Sequence, residues 1–117
     1  MLSPKNRLKK KKDFEKVLKE GKGFTEDFLF LKIIKNNFEI SRVGFIVSKK
    51  ISKKAVQRNK IKRRLREIIR LYLGKIQPGF DLVFLAKPGI EKRDFWELEG
   101  IMYKIFKKSK ILNPTNY

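Results

Sequence analysis

Residues 42–72 read RVGFIVSKKISKKAVQRNKIKRRLREIIRLY. The stretch opens as an apolar, β-branched run, passes a lysine-rich turn and becomes a helical pattern loaded with arginine. Between Lys49 and Arg70 stand eleven Lys or Arg and one acid, Glu67, a local balance of +10 against +19 for the whole chain. At about 100° per residue, Ile61, Leu65, Ile68, Ile69 and Tyr72 share one face, the spacing of a helix packed on a core. Arg58, Lys62, Arg66 and Arg70 run beside that stripe at i, i+4 spacing. Asn59 and Arg63 lie behind them, and Lys60 and Arg64 on the other flank. Like charges at i, i+4 repel, and almost no acid relieves them here. Such a helix is matched to a polyanion rather than to water.

Composition sets the class. The 117 residues, 41% of them apolar, suit one globular domain over 1–117. No apolar span is long enough for a transmembrane helix and the N-terminus has no apolar signal region, so a cytoplasmic location without membrane contact is expected. There is no Cys, hence no disulfide, thiol nucleophile or thiolate metal site. There is no His either, which removes the commonest general base and metal ligand. The acids are scattered: Asp27, Asp81 and Asp94 form no recognisable constellation. No catalytic and no metal-binding residue is therefore assigned.

Working outward, residues 1–12 form a basic arm with six Lys or Arg, anchored by Leu8. A helix over 13–20 places Phe14, Val17 and Leu18 on one face, with Asp13 as candidate N-cap and Gly21 as the stop. Gly21-Lys22-Gly23 reads as a turn without the spacing of a phosphate-cradling loop. Residues 24–35 read as a strand region, with Leu29, Leu31 and Ile33 turned to the core. Phe28, Phe30, Lys32 and Ile34 face a partly exposed, cationic surface. Asn36-Asn37 supplies turn chemistry, so residues 42–48 should return as an antiparallel neighbour. Gly44 weakens that strand unless something must approach its backbone closely. Ser52 is a candidate N-cap for the basic helix and Gly74 its stop. Residues 80–86 are apolar enough for a central strand, between turns at Gln77-Pro78-Gly79 and Lys87-Pro88-Gly89. Asp94 and Glu97 make a capping box for a last helix that buries Phe95, Leu98, Met102, Ile105 and Phe106. Trp96 is assigned to the core, and residues 110–117 to a flexible tail.

The run Arg58-Asn59-Lys60-Ile61-Lys62-Arg63-Arg64-Leu65-Arg66 resembles the signature of the protein component of bacterial ribonuclease P. Flanking blocks extend the likeness: Asn6-Arg7-Leu8, Asp13-Phe14 with Val17 and Gly21, Arg42-Val43-Gly44, Val47-Ser48-Lys49-Lys50 and Ala55-Val56. Two positions depart from the pattern. Lys60 stands where the family usually has Arg, which keeps the charge but loses the planar fork. Leu18 stands where an aromatic is common.

The resemblance implies an α/β (α+β) two-layer sandwich in αβββαβα order. Its small mixed sheet would carry a left-handed β-α-β crossover through the basic helix, against the general right-handed rule. It also implies an RNA-binding subunit of an endoribonuclease that removes the 5′ leader of precursor tRNA. The RNA subunit would perform the hydrolysis with Mg2+, and the protein alone would bind no cofactor. The partners implied are the catalytic RNA, with one protein per RNA, and precursor tRNA. Arg58, Asn59, Lys60, Lys62, Arg63 and Arg66 would meet the catalytic RNA, with Lys49, Lys50, Lys53 and Lys54 on the preceding loop. Phe14, Leu18, Phe30, Lys32 and Ser48 would line a cleft for the single-stranded leader. The competing reading is a ribosomal-protein-like chain on ribosomal RNA. Further away stand a DNA-binding protein with its helix in a major groove and a membrane-active helix.

Overall fold

The computed structural model describes residues 3–113. Along the chain lie α1 (Lys11–Glu20), β1 (Lys22–Glu26), β2 (Leu29–Lys35), β3 (Arg42–Ile46), α2 (Ala55–Tyr72), β4 (Phe80–Ala86) and α3 (Phe95–Ser109). This is the αβββαβα order. The four strands form one mixed sheet in the order β1-β2-β4-β3.

The last strand in sequence is thus inserted between the second and third. β4 pairs antiparallel with β2 and parallel with β3, so β3 is not the antiparallel neighbour of β2 that the Asn36-Asn37 turn suggested. The physical reason lies in β4 and in Asn36. β4 is apolar toward both faces, with Leu82 and Phe84 on one and Val83 on the other, all fully buried, and such a strand belongs at a sheet centre. Asn36 does turn the chain, its Oδ1 accepting from Phe38 N at 2.8 Å. Its Nδ2, however, donates to Asp81 Oδ1 at 2.8 Å, which ties the turn to β4.

Helices α2 and α3 cover one face, burying Ile61, Leu65, Ile68, Ile69 and Tyr72 together with Leu98, Met102, Ile105 and Phe106. These five α2 positions are the stripe the periodicity marked. Phe84 sits at the centre, stacked 5.7 Å from Phe45 and edge-on 6.1 Å from Phe106. α1 covers the opposite face, with Val17 and Leu8 packed on Val83 and ringed by Phe14, Leu18, Ile34, Ile46 and Leu85.

Several local expectations are corrected. Lys22 and Gly23 belong to β1, and the reversal falls instead at Asp27-Phe28. Phe28 takes φ 67° there, unfavourable for a bulky residue; its ring lies 4.7 Å under the Arg93 guanidinium, and its carbonyl accepts from Lys87 N at 3.0 Å. Lys10, not Asp13, is the N-cap of α1, because the Asp13 carboxylate turns to Arg42. Lys54 rather than Ser52 caps α2, and Gly74 lies inside a 3-10 turn that prolongs it. Trp96 is 76% exposed, since Leu98 and Met102, not Trp96, occupy the sheet-facing side of α3. The tail expected from residue 110 is docked in its first part. Ile111 and Leu112 are buried, and Leu112 bridges to Ile76. Residues 114–117 lie outside the described residues. So do Met1 and Leu2 of the basic arm. From Ser3 to Lys10 the arm runs beside β3, with Arg7 bridged to Val43, Leu8 N donating to Val43 O at 2.9 Å and Leu8 buried, as its assignment as anchor required.

One ion pair joins the β1 edge to α3. Lys108 Nζ lies 2.6 Å from Glu26 Oε2 and also donates to Thr25 O at 2.8 Å. The hydrogen bond from Lys108 holds the Glu26 carboxyl below its ordinary pKa, against the opposing effect of burial. A carboxylate depressed on folding stabilises above its unfolded pKa, and loses that contribution as pH falls through its folded value. Glu26→Gln should therefore melt below wild type at neutral pH. The two melting curves should converge on acidification.

Candidate nucleic-acid interface

The basic helix begins bare. α2 has no acid in its first turn and no side-chain cap, and Lys53 and Lys54 adjoin its N-terminal N–H groups. Cations there oppose the helix dipole, an arrangement relieved when an anion is seated on them. The preceding loop is built around serines. Ser48 Oγ accepts from Lys50 N at 3.3 Å, and Ser52 Oγ accepts from Lys54 N at 3.2 Å while donating to Gln57 Oε1 at 2.6 Å. Lys49, Lys50, Lys53 and Lys54 are all exposed on this turn, as are Asn59, Lys60 and Arg63 on the helix.

The other cations of α2 are partly committed. Arg58 donates to Ser52 O at 3.0 Å and so braces the loop. Arg64 donates to Arg93 O at 2.8 Å, tying α2 to the start of α3. Lys62 and Arg66 lie on the flank toward β3. There they help line a groove of about 390 Å³ with Arg7, Leu8 and Lys9 of the arm, Phe14 of α1 and Val43 to Phe45 of β3. Two of the α2 cations thus face the same space as the aromatic ring of α1.

Gly44 makes that groove possible. A Cβ on Gly44 would fall 2.4 Å from Phe14 Cζ and 3.2 Å from Leu8 Cβ, so the close approach that a strand glycine implied is the ring of Phe14. Because that ring is half-buried, it can swing outward. Gly44→Ala is expected to leave the melting temperature within a few degrees of wild type, yet to lower affinity for single-stranded RNA by displacing Phe14. Binding and melting measured on the same variant separate these effects.

The five proposed cleft residues are not all brought together. Phe14 and Leu18 share one apolar group with Ile46 and Leu85. Strand register puts Phe30, Leu85 and Ile46 in one row across β2, β4 and β3, a half-buried floor beside α1. The Phe30 ring leans away over Gly23, whose Cβ would meet Phe30 Cζ at 2.7 Å. Lys32 Nζ donates to Gly21 O at 3.3 Å, closing the end of α1. Ser48 is exposed beyond the end of β3. Ile46 and Leu85 were not among the cleft residues expected from the sequence, because alternation alone makes them plain strand residues. Arg7 and Lys9 were hidden in an arm without periodicity.

Beneath the opposite flank of α1, Arg42 grips Asp81 through Nε–Oδ1 at 2.9 Å and Nη2–Oδ2 at 2.6 Å, with Asp13 Oδ2 at 3.4 Å from Nη1. The cluster is structural: its members point away from the groove, and it pins α1 to β3 and β4. Among the described residues, no group of three or more His, Cys, Asp or Glu could hold a metal ion, and no helix is long and apolar enough to cross a membrane.

A family model described as Ribonuclease P matches residues 2–110. A protein of Clostridioides difficile (strain 630), a "Ribonuclease P protein component", is 40% identical over 105 residues, covering 89% of this chain and 91% of its own length. One of the same description from Alkaliphilus metalliredigens is 36% identical over 108 residues, covering 92% and 96%. Among solved structures, the RNase P protein of Staphylococcus aureus superposes with a TM-score of 0.84 at 28% identity, covering 92% of this chain and 98% of that one. The RNase P protein of Thermotoga maritima gives 0.79 at 34% identity, covering 87% and 96%.

Proposed function

We infer the roles of these surfaces from one premise: the chain belongs to the ribonuclease P protein family. It is an RNA-binding subunit of the endoribonuclease that matures the 5′ end of tRNA, and its partners are an RNA and a tRNA substrate. The ribosomal-RNA reading has no support in these likenesses.

The division of labour is our proposal. The loop lysines Lys49, Lys50, Lys53 and Lys54, with Asn59, Lys60 and Arg63, meet the catalytic RNA at the uncapped start and outer face of α2. Arg58 contributes by bracing that loop. The groove bounded by Phe14, Lys62 and Arg66 holds the single-stranded leader, with Leu18, Phe30, Lys32 and Ser48 extending its floor and ends. The observation that carries this reading is the ring of Phe14 over Gly44, opposite two cations of α2. Stacking or apolar contact to unpaired bases, combined with phosphate neutralisation, suits single strands of any sequence. Phosphate contacts fix register without reading bases.

Hydrolysis belongs to the RNA, with Mg2+ held there. The protein contributes by lowering repulsion between leader and catalytic RNA, so that less metal is needed. One protein per RNA and a cytoplasmic location complete the proposal. The test is reconstitution with the catalytic RNA at low magnesium. Added protein should restore leader removal, and the complex should bind precursor tRNA more tightly than mature tRNA. Cleavage by the protein alone, or equal affinity for the two tRNAs, would overturn it.

A further inference from the structure

A second hollow lies between the C-terminal half of α2 and the start of α3, lined by Arg63, Arg66, Glu67, Arg70, Leu71 and Phe95. Three arginines there face one acid. Phe95 meets the Trp96 ring edge-on at 5.2 Å, and Trp96 is 76% exposed. One turn further on, apart from its chain neighbours and the nearby backbone of α3 itself, Gly100 has no atom within 4 Å of where its Cβ would stand. The helix surface is therefore open between Trp96 and Tyr103, about 10 Å apart along the axis. Tyr103 is itself stacked against Tyr72 at 6.5 Å. An exposed aromatic on a helix flank, touching the Phe95 ring that lines the arginine hollow and next to an empty notch, is a stacking platform. A second copy of the chain is a poor occupant, since each copy carries +19 and like charge repels.

Arg66 lines both this hollow and the Phe14 groove. The two are therefore neighbours along one cationic path over α2. We propose that a long leader continues from the groove past Arg66 and stacks an unpaired base on Trp96, with its phosphates on Arg66 and Arg70. This extends the leader assignment made above and rests on it.

Trp96 is the only tryptophan, so its fluorescence reports the site directly. In the reconstituted complex of full chain and catalytic RNA, precursor tRNA with a leader of about ten nucleotides or more should quench it. A leader trimmed to a stub, or mature tRNA, should not. Trp96→Ala should weaken long-leader binding by about tenfold, the scale of one base stack, and leave the stub-leader substrate unchanged. Trp96→Tyr should retain most of the affinity. The inference is overturned by equal losses on long and stub leaders, or by no loss on either. Quenching by the catalytic RNA alone, or by raising protein concentration without RNA, would also overturn it, by assigning the hollow to another occupant. Protein-dependent processing of the stub-leader substrate reports the leader assignment separately, so failure at Trp96 leaves that reading standing.

Discussion

Asp81→Ala is expected to lower stability by about 3 kcal/mol, the scale of breaking a buried ion pair from one side. Asp81 accepts two charge-assisted hydrogen bonds from Arg42 and one from Asn36. Its removal leaves the Arg42 guanidinium, itself only 19% exposed, with Asp13 at 3.4 Å as the remaining acid beside it and the Phe38 ring 4.6 Å away. The hydrogen bond to Asp81 raises the Arg42 pKa in the native chain, and a guanidinium stays charged even without it, so losing a proton offers no escape. For a chain of this size the loss corresponds to a fall in melting temperature of roughly 10 °C. Replacing both partners, Arg42→Met with Asp81→Leu, should recover much of it, because the cost is that of an uncompensated charge. A single variant as stable as wild type would show that the pair contributes nothing.

The second large effect is on affinity. Lys62→Gln with Arg66→Gln should weaken RNA binding by about hundredfold at moderate salt, roughly 1.4 kcal/mol for each charge-assisted contact. With about five phosphates engaged, the log–log salt slope of the native chain lies near −3 to −4 for a single strand. The double variant should flatten it by about 1.5. Melting should be unchanged or slightly raised, since neutral side chains relieve like-charge repulsion along α2. An unaltered slope would place both side chains outside the RNA contact.

How far the sequence carried depends on whether the signal was local. The buried stripe of α2 was legible because it repeats along a single helix. The capping box at Asp94 was equally plain, since partner and cap are three residues apart, and Glu97 N donates to Asp94 Oδ1 at 2.8 Å. Strand order was not legible: turn chemistry at Asn36 speaks for the next few residues, whereas the partner of β3 arrives at residue 80. Asp81 looked like a stray acid because its partner is 39 positions away. Trp96 was misplaced because it sits about 100° from Phe95, at the margin where a helix face can turn to core or solvent. Gly44 was the one strand residue whose anomaly pointed at the groove, although nothing local named Phe14 as the visitor.

The insertion of β4 between β2 and β3 bears on how this chain is made. While the ribosome has released only the first seventy or so residues, β1 and β2 can pair but β3 has no strand beside it, and the arm along β3 has no sheet to lean on. The most cationic segment therefore emerges before the domain can close around it. Consolidation waits for residues 80–86, and a nearby polyanion that shields α2 in that interval would speed the assembly of the protein it later serves.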